Sequence, residues 1–228
     1  MCVNFITPTS QQLRSHFKAP LQTSAEWKSE CWQDYAAPII IGEKGHRQSL
    51  LGSYSMIPKN HMPPNAKRFS TMNARAETVG TLRSYAKHWQ DGLLCLVPMT
   101  AYFEPNYESG KAERWKICMA DESPFAVAAL YRTWAEPDGS TSYSFTQLTI
   151  NADDDPMMKR FHKPNEEKRS LVILPEDVYD DWLDCRSPIM AKSFLKHYPA
   201  GLLTTYVAQK EVMIKPKVAT NLELFLSH

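Results

Sequence analysis

Apolar residues recur along this chain in two rhythms, and the changes of rhythm mark out its elements. Alternating or continuous apolar runs predict strands at residues 38–41 and 49–55, around a Gly42–Gly45 turn. Further strands are predicted at 93–98, 114–119, 125–134 and 143–150, and Glu136-Pro137-Asp138-Gly139 supplies the turn between the last two. Residues 202–207 fit a final strand. Helical spacing predicts a short helix over 8–17, with Thr9 as cap and Gln12 completing a capping box. Val79, Leu82, Ala86 and Trp89 share one face of a helix predicted over 77–89. Pro175 suits the first position of another, with Glu176 and Asp177 at its positive end and Val178, Trp182 and Leu183 facing inward. One more helix is predicted over 189–197. Residues 58–66 hold three prolines and no period, and predict a loop. Strands grouped in runs, with helices between the groups, predict an α+β fold. The expectation is one domain over 1–228, with a curved antiparallel or mixed sheet forming an open barrel under peripheral helices.

Composition narrows the function. With 8 glycines against 16 prolines and neither GxGxxG nor GxxxxGK[ST], no nucleotide cofactor is expected. The histidines lack metal-ligand spacing, HExxH and GxSxG are missing, and no metal is expected. Lys plus Arg is 26 against 25 for Asp plus Glu, a net charge of +1, which argues against a uniformly basic nucleic-acid binder. Its distribution revises that. Residues 157–169 carry five basic and two acidic side chains, whereas 174–185 carry five acidic and no basic ones. A ligand meets one face, not the average. Five cysteines without CxxC spacing suit reduced thiols. The N-terminus lacks a basic and apolar leader, and the longest apolar run, 93–103, contains Pro98 and is far short of a membrane span. A soluble, cytoplasmic monomer is expected, with no membrane contact.

Four clusters could carry chemistry. Cys2 follows the initiator Met1. If Met1 is removed, Cys2 presents an α-amine beside a thiol, and about a tenth or more of an α-amine is unprotonated at pH 7. Amine and thiol can then attack one aldehyde carbon in turn and close a thiazolidine ring; an internal cysteine cannot. Alternatively, Cys2 is a bystander. Second, Asn73 and Arg75 lie on one face of an extended segment, where a guanidinium beside an amide suits a phosphate or pairs with a carboxylate. Lys67 and Arg68 precede them. Third, Glu104 sits among Tyr102, Phe103 and Pro105, where desolvation raises a carboxyl pKa and fits it for proton transfer; a salt bridge is the alternative. Fourth, the basic segment contains Arg160, His162 and Arg169, with His162 able to act as acid or base near neutrality.

Taken in order, Met1-Cys2, Tyr35-Ala36-Ala37-Pro38, Asn73-Ala74-Arg75-Ala76-Glu77-Thr78, Cys95 to Glu104, Thr149-Ile150-Asn151-Ala152 and the stretch from His162 to Leu174 resemble the SOS-response-associated peptidase (SRAP) family. The resemblance implies a single α+β domain with a barrel-like sheet and a positive groove. It also implies covalent capture of abasic sites in single-stranded DNA, with nucleoid association when DNA is bound. By the same resemblance, Cys2 forms a thiazolidine with the sugar aldehyde, Asn73 holds the sugar and the N-terminal residue, and Glu104 moves protons at the amine. His162 acts on the sugar oxygen, and Arg75 binds the flanking phosphate. On local charge alone, Lys67, Arg68, Arg160 and Arg169 are further expected DNA contacts. A lyase side reaction follows if Glu104 or His162 removes the proton acidified by a Schiff base.

This sequence departs from the family pattern in three places. Cys2 precedes Val3-Asn4 instead of Gly-Arg, Leu51 stands before Gly52 instead of Trp, and residues 163–168 insert Pro164-Asn165-Glu166-Glu167 after His162. The family's C-terminal Asn-bearing segment finds no counterpart in 209–226. Two other readings remain open: a thiol autopeptidase or peptidase using Cys2 with His162 as base, and a non-catalytic single-strand binder.

Overall fold

The computed structural model describes residues 2–208. In chain order it contains strand β1 (Phe5–Ile6), helix α1 (Ser10–Ser15), β2 (Glu30–Cys31), β3 (Ala36–Glu43), β4 (His46–Tyr54) and β5 (Asn73–Arg75). Then come α2 (Ala86–Gln90), β6 (Leu94–Met99), β7 (Ala101–Asn106), β8 (Glu113–Met119), β9 (Phe125–Ala135) and β10 (Thr141–Asn151). The last are β11 (Arg169–Leu171), β12 (Ile173–Leu174), α3 (Tyr179–Asp184), α4 (Pro188–Ser193) and β13 (Leu203–Val207). The fold is α+β, as expected.

Five strands close a ring: β4 pairs with β3, β3 with β6, β6 with β9, β9 with β10, and β10 returns to β4 in parallel. A second sheet runs β13-β8-β7-β1-β2. Both faces of the barrel strands are covered, and alternation sorts their side chains between two cores. Ile39, Cys95, Val97, Val127, Ala129 and Phe145 pack with Phe5, Tyr102 and Ile117 of the second sheet. Their neighbours Ile40, Leu96, Ala126, Ala128, Leu130 and Leu148 pack with Leu13, Trp89, Tyr179 and Trp182 from the helices. Burial on both sides explains why residues 125–130 are apolar without a break. Trp182 also donates its indole N–H to the Cys95 carbonyl at 2.9 Å.

Local signals held where local forces suffice. Thr9 accepts from Gln12 N–H while the Gln12 side chain bonds back to Thr9 N–H at 2.8 Å, a complete capping box. Elsewhere the expected elements need correction. Of residues 77–89, only Ala86–Gln90 is α-helical; 76–85 form turns. Gly80 lies against the Trp89 ring, Leu82 faces solvent, and Glu77 is drawn to Arg169, so tertiary partners outweigh the spacing. Pro175 precedes a 3-10 turn, Glu176–Val178, instead of opening the α-helix, which starts at Tyr179. The helix expected over 189–197 is Pro188–Ser193, capped by Ser187. The turn at 42–45 tightens to Lys44-Gly45, because β3 and β4 stay paired as far as Glu43 and His46. Strands β1 and β2 are too short to show a period. The segment 209–226 lies outside the described residues.

Candidate functional site

Cys2 reaches the core through the short β1, which pairs with β2 on one side and β7 on the other. The parallel pairing of β5 with β10 sets Gln147 opposite Asn73. Asn73 donates its amide N–H to the Cys2 carbonyl at 2.7 Å, and the Tyr54 hydroxyl lies 3.0 Å from the same oxygen and 2.9 Å from Gln147 Oε1. The main chain at Cys2 is thereby fixed. Its thiol is 1% exposed and donates to the Asn4 carbonyl at 3.3 Å. Burial drives that thiol far above its usual pKa, and the charge of Glu104 adds to the shift.

Glu104, on β7, is 3% exposed, and burial pushes its carboxyl up to about 7. Its Oε2 lies 3.3 Å from His162 Nδ1. His162 Nε2 lies 3.0 Å from the Arg169 carbonyl, which can only accept. Nε2 therefore carries a hydrogen, and in the neutral ring the Nδ1 lone pair faces Glu104. Burial lowers His162 to about 4, so near neutrality the ring is neutral and the exchangeable proton belongs to Glu104. Burial thus acts in opposite directions on the two groups, raising the carboxyl and lowering the imidazole. His162 adopts a positive φ of 63° and its N–H donates to Pro105 O at 2.8 Å, which ties it to β7.

Asn73, Glu104, His162 and Cys2 thus converge. The basic side chains expected beside them divide. Arg75 is half-exposed on the rim and pairs with Glu167 at 2.6 Å. Arg169 is 3% exposed; it bonds Glu77 at 2.8 Å and 3.1 Å, Glu167 at 2.7 Å and the Thr149 carbonyl at 2.7 Å. A guanidinium so committed holds its neighbours in place. Arg160 is held by both oxygens of Glu108, at 2.8 Å and 3.0 Å. Arg68 pairs with Asp34, whereas Lys67 is exposed. A cavity of about 440 Å³ opens beside the site, lined by Arg75, Tyr107, His162, Lys163, Glu167 and Arg169 among others. Near Tyr54, Tyr35 and Phe69 expose 38% and 53% of their surface, with Lys28 4.0 Å over the Tyr35 ring.

Sequence reasoning missed Tyr54, Gln147, and the buried Asn4, whose amide bonds Glu30 at 2.5 Å; Glu30 also takes Arg114 at 2.5 Å. The only available signal was that a tyrosine hydroxyl inside a strand needs a partner. Converting Tyr54 to Phe leaves buried Gln147 without that partner and removes one donor from Cys2. The expected cost is about 1–2 kcal/mol of stability, seen as a lower urea midpoint at unchanged slope.

The arrangement offers a sulfur nucleophile, a carboxyl that is half-protonated near pH 7, and an imidazole backing it. Among the described residues, no group of three His, Cys, Asp or Glu side chains is placed to hold a metal, and no helix is long and apolar enough to cross a membrane.

Comparison with known proteins gives consistent matches. The family model for SOS response associated peptidase (SRAP) matches residues 1–214. The abasic site processing protein YoaM of Bacillus subtilis is 28% identical over 152 residues, covering 64% of this chain and 63% of its own length. This chain therefore spans under two thirds of that curated relative. The crystal structure of a Bordetella bronchiseptica protein superposes with a TM-score of 0.83 at 32% identity, over 92% of this chain and all of that one. A Bacteroides thetaiotaomicron protein, at 19% identity and a TM-score of 0.70 over 91% and 92% of the two chains, shares the fold.

Proposed function

The chain belongs to the SOS response associated peptidase (SRAP) family, and we propose that it captures abasic sites in single-stranded DNA by covalent bonding to Cys2. The observation that carries this reading is the convergence on Cys2: its carbonyl is gripped by Asn73, and the Glu104–His162 pair stands beside it. The name of the Bacillus subtilis relative supports the substrate class.

In this reading removal of Met1 frees the Cys2 amine, which attacks the aldehyde carbon of the ring-opened sugar. Glu104, as the acid, protonates the carbinolamine oxygen, which leaves as water, and a Schiff base remains. The carboxylate so formed takes the thiol proton, sulfur adds to the imine carbon, and the nitrogen ends as N–H. The C=O bond is replaced by C–N and C–S bonds, with one water released. His162 acts on the sugar oxygen through the proton it shares with Glu104. Arg75 holds the flanking phosphate, and Tyr35, Phe69 and Lys67 offer stacking and charge to the strand. Strand cleavage by β-elimination from the Schiff base is a side reaction of the same groups.

The test is a denaturing gel after incubation with single-stranded DNA carrying one abasic site. A slow band is expected with that DNA and not with undamaged DNA. Hydrolysis of an unrelated peptide with no band would favour the peptidase reading, and binding without a band would favour the plain binder. Mass spectrometry of the purified protein should show Met1 missing; a chain retaining Met1 cannot form the ring.

A further inference from the structure

The guanidinium of Arg75 already holds a carboxylate. We propose that Glu167 occupies the seat that a DNA phosphate takes on Arg75, so that the loop from His162 to Lys168 gates the site. The inference rests on the reading of Arg75 as a phosphate contact and adds its regulation.

Carboxylate and phosphate use the same donors of a guanidinium fork. Glu167 Oε2 sits 2.6 Å from Arg75 Nη1, in the ligand's place, and both side chains remain partly exposed, so a ligand can compete. The other oxygen, Oε1, accepts from Arg169 Nη1 at 2.7 Å and from Asn151 at 3.3 Å. Arg169 is itself anchored by Glu77 and Thr149 and is nearly inaccessible. Glu167 therefore stands between a fixed, buried cation and an exposed one. If it releases Arg75 it keeps Arg169, so opening strands no charge.

The loop is exposed between fixed ends. At one end His162 N–H is bonded to Pro105, and at the other Lys168 N–H is bonded to Asp153 at 2.8 Å. Between them residues 163–167 are exposed, and Asn165 takes a positive φ of 65°. A phosphate arriving at Arg75 has to displace a tethered carboxylate, so the native chain gains less affinity from the contact than a free guanidinium would give.

The experiment measures binding of an undamaged single-stranded oligonucleotide by fluorescence anisotropy across a salt series. The proteins are the native chain, Glu167→Gln, Arg75→Gln, the double variant, and Glu166→Gln as a charge control. Glu166 pairs with Lys163 on the same loop. Glu167→Gln should bind about two- to fivefold tighter at low salt, the range an exposed ion pair can withhold. The gain should shrink as salt rises, since it is an exposed electrostatic contact. Arg75→Gln should cost more affinity in the Glu167→Gln background than in the native one. Equal or weaker binding by Glu167→Gln, an equal gain from Glu166→Gln, or a gain that survives Arg75→Gln would overturn the gate. If Arg75→Gln weakens binding equally in both backgrounds, the phosphate contact stands and the gate is lost. If it changes neither, the phosphate reading itself has failed.

Discussion

Cys2→Ala is expected to abolish the DNA–protein band that survives denaturation. The substitution keeps the α-amine, so a Schiff base can still form, but without sulfur the imine carbon stays open to water and the adduct hydrolyses. Reduction with borohydride during the incubation should therefore restore a band in Cys2→Ala, whereas the native chain gives its band without reductant. This pairing separates loss of the ring from loss of the site. The thiol lies in the core, where alanine removes one atom of modest volume, so a melting curve close to native is expected. A crosslink of native yield from Cys2→Ala without reductant would refute the thiazolidine mechanism.

The second large effect concerns Glu104. Glu104→Gln should slow capture by about 10²–10⁴-fold, the usual worth of a positioned acid–base group, with DNA affinity held within a few-fold. The pH profile is the sharper readout. Glu104 works as an acid, and burial places its pKa at about 7, so the native rate falls as pH rises through that value. The amine works unprotonated, with an ordinary pKa of about 7.7–8.0, so the rate also falls as pH drops. A bell centred between about 7 and 8 results. Glu104→Gln should lose the alkaline limb and follow the amine alone; an unchanged bell would assign the acid elsewhere. Stability carries the same sign. A carboxyl with a raised folded pKa stabilises fully below its unfolded value near 4.5, and that contribution is lost as pH rises through about 7. His162, lowered to about 4, does the opposite: its contribution is complete above its unfolded value near 6.5 and is lost as pH falls through 4. Glu104→Gln should flatten the decline in the urea midpoint between pH 5 and 7.

Much of the site was legible because its chemistry is carried by residue type. A cysteine after the initiator, a carboxyl between aromatics and an Asn-x-Arg pair on one strand face each announce what they can do without a fold. The barrel strands were legible too, since sheets covered on both sides leave unbroken apolar runs such as residues 125–130. The Thr9–Gln12 box formed because both partners lie within one helical turn. The 77–89 helix kept only its last turn for the converse reason: Glu77 answers to Arg169, and Gly80 packs against the Trp89 ring outside the helix.

The sequence by itself therefore determined the α+β class and an inventory of candidate groups: a thiol, a carboxyl and an imidazole. Only the tertiary structure decided which charges are spent and which face the ligand. Arg68, Arg75, Arg160 and Arg169 look alike in one dimension, yet Arg68 meets Asp34, Arg160 meets Glu108, and Arg75 and Arg169 share Glu167 from an exposed and a buried position. It also decided that burial raises the Glu104 carboxyl and lowers the His162 imidazole. Burial sets the cost of a charge, and burial is a property of all the elements packed around a group, which no short stretch of chain contains.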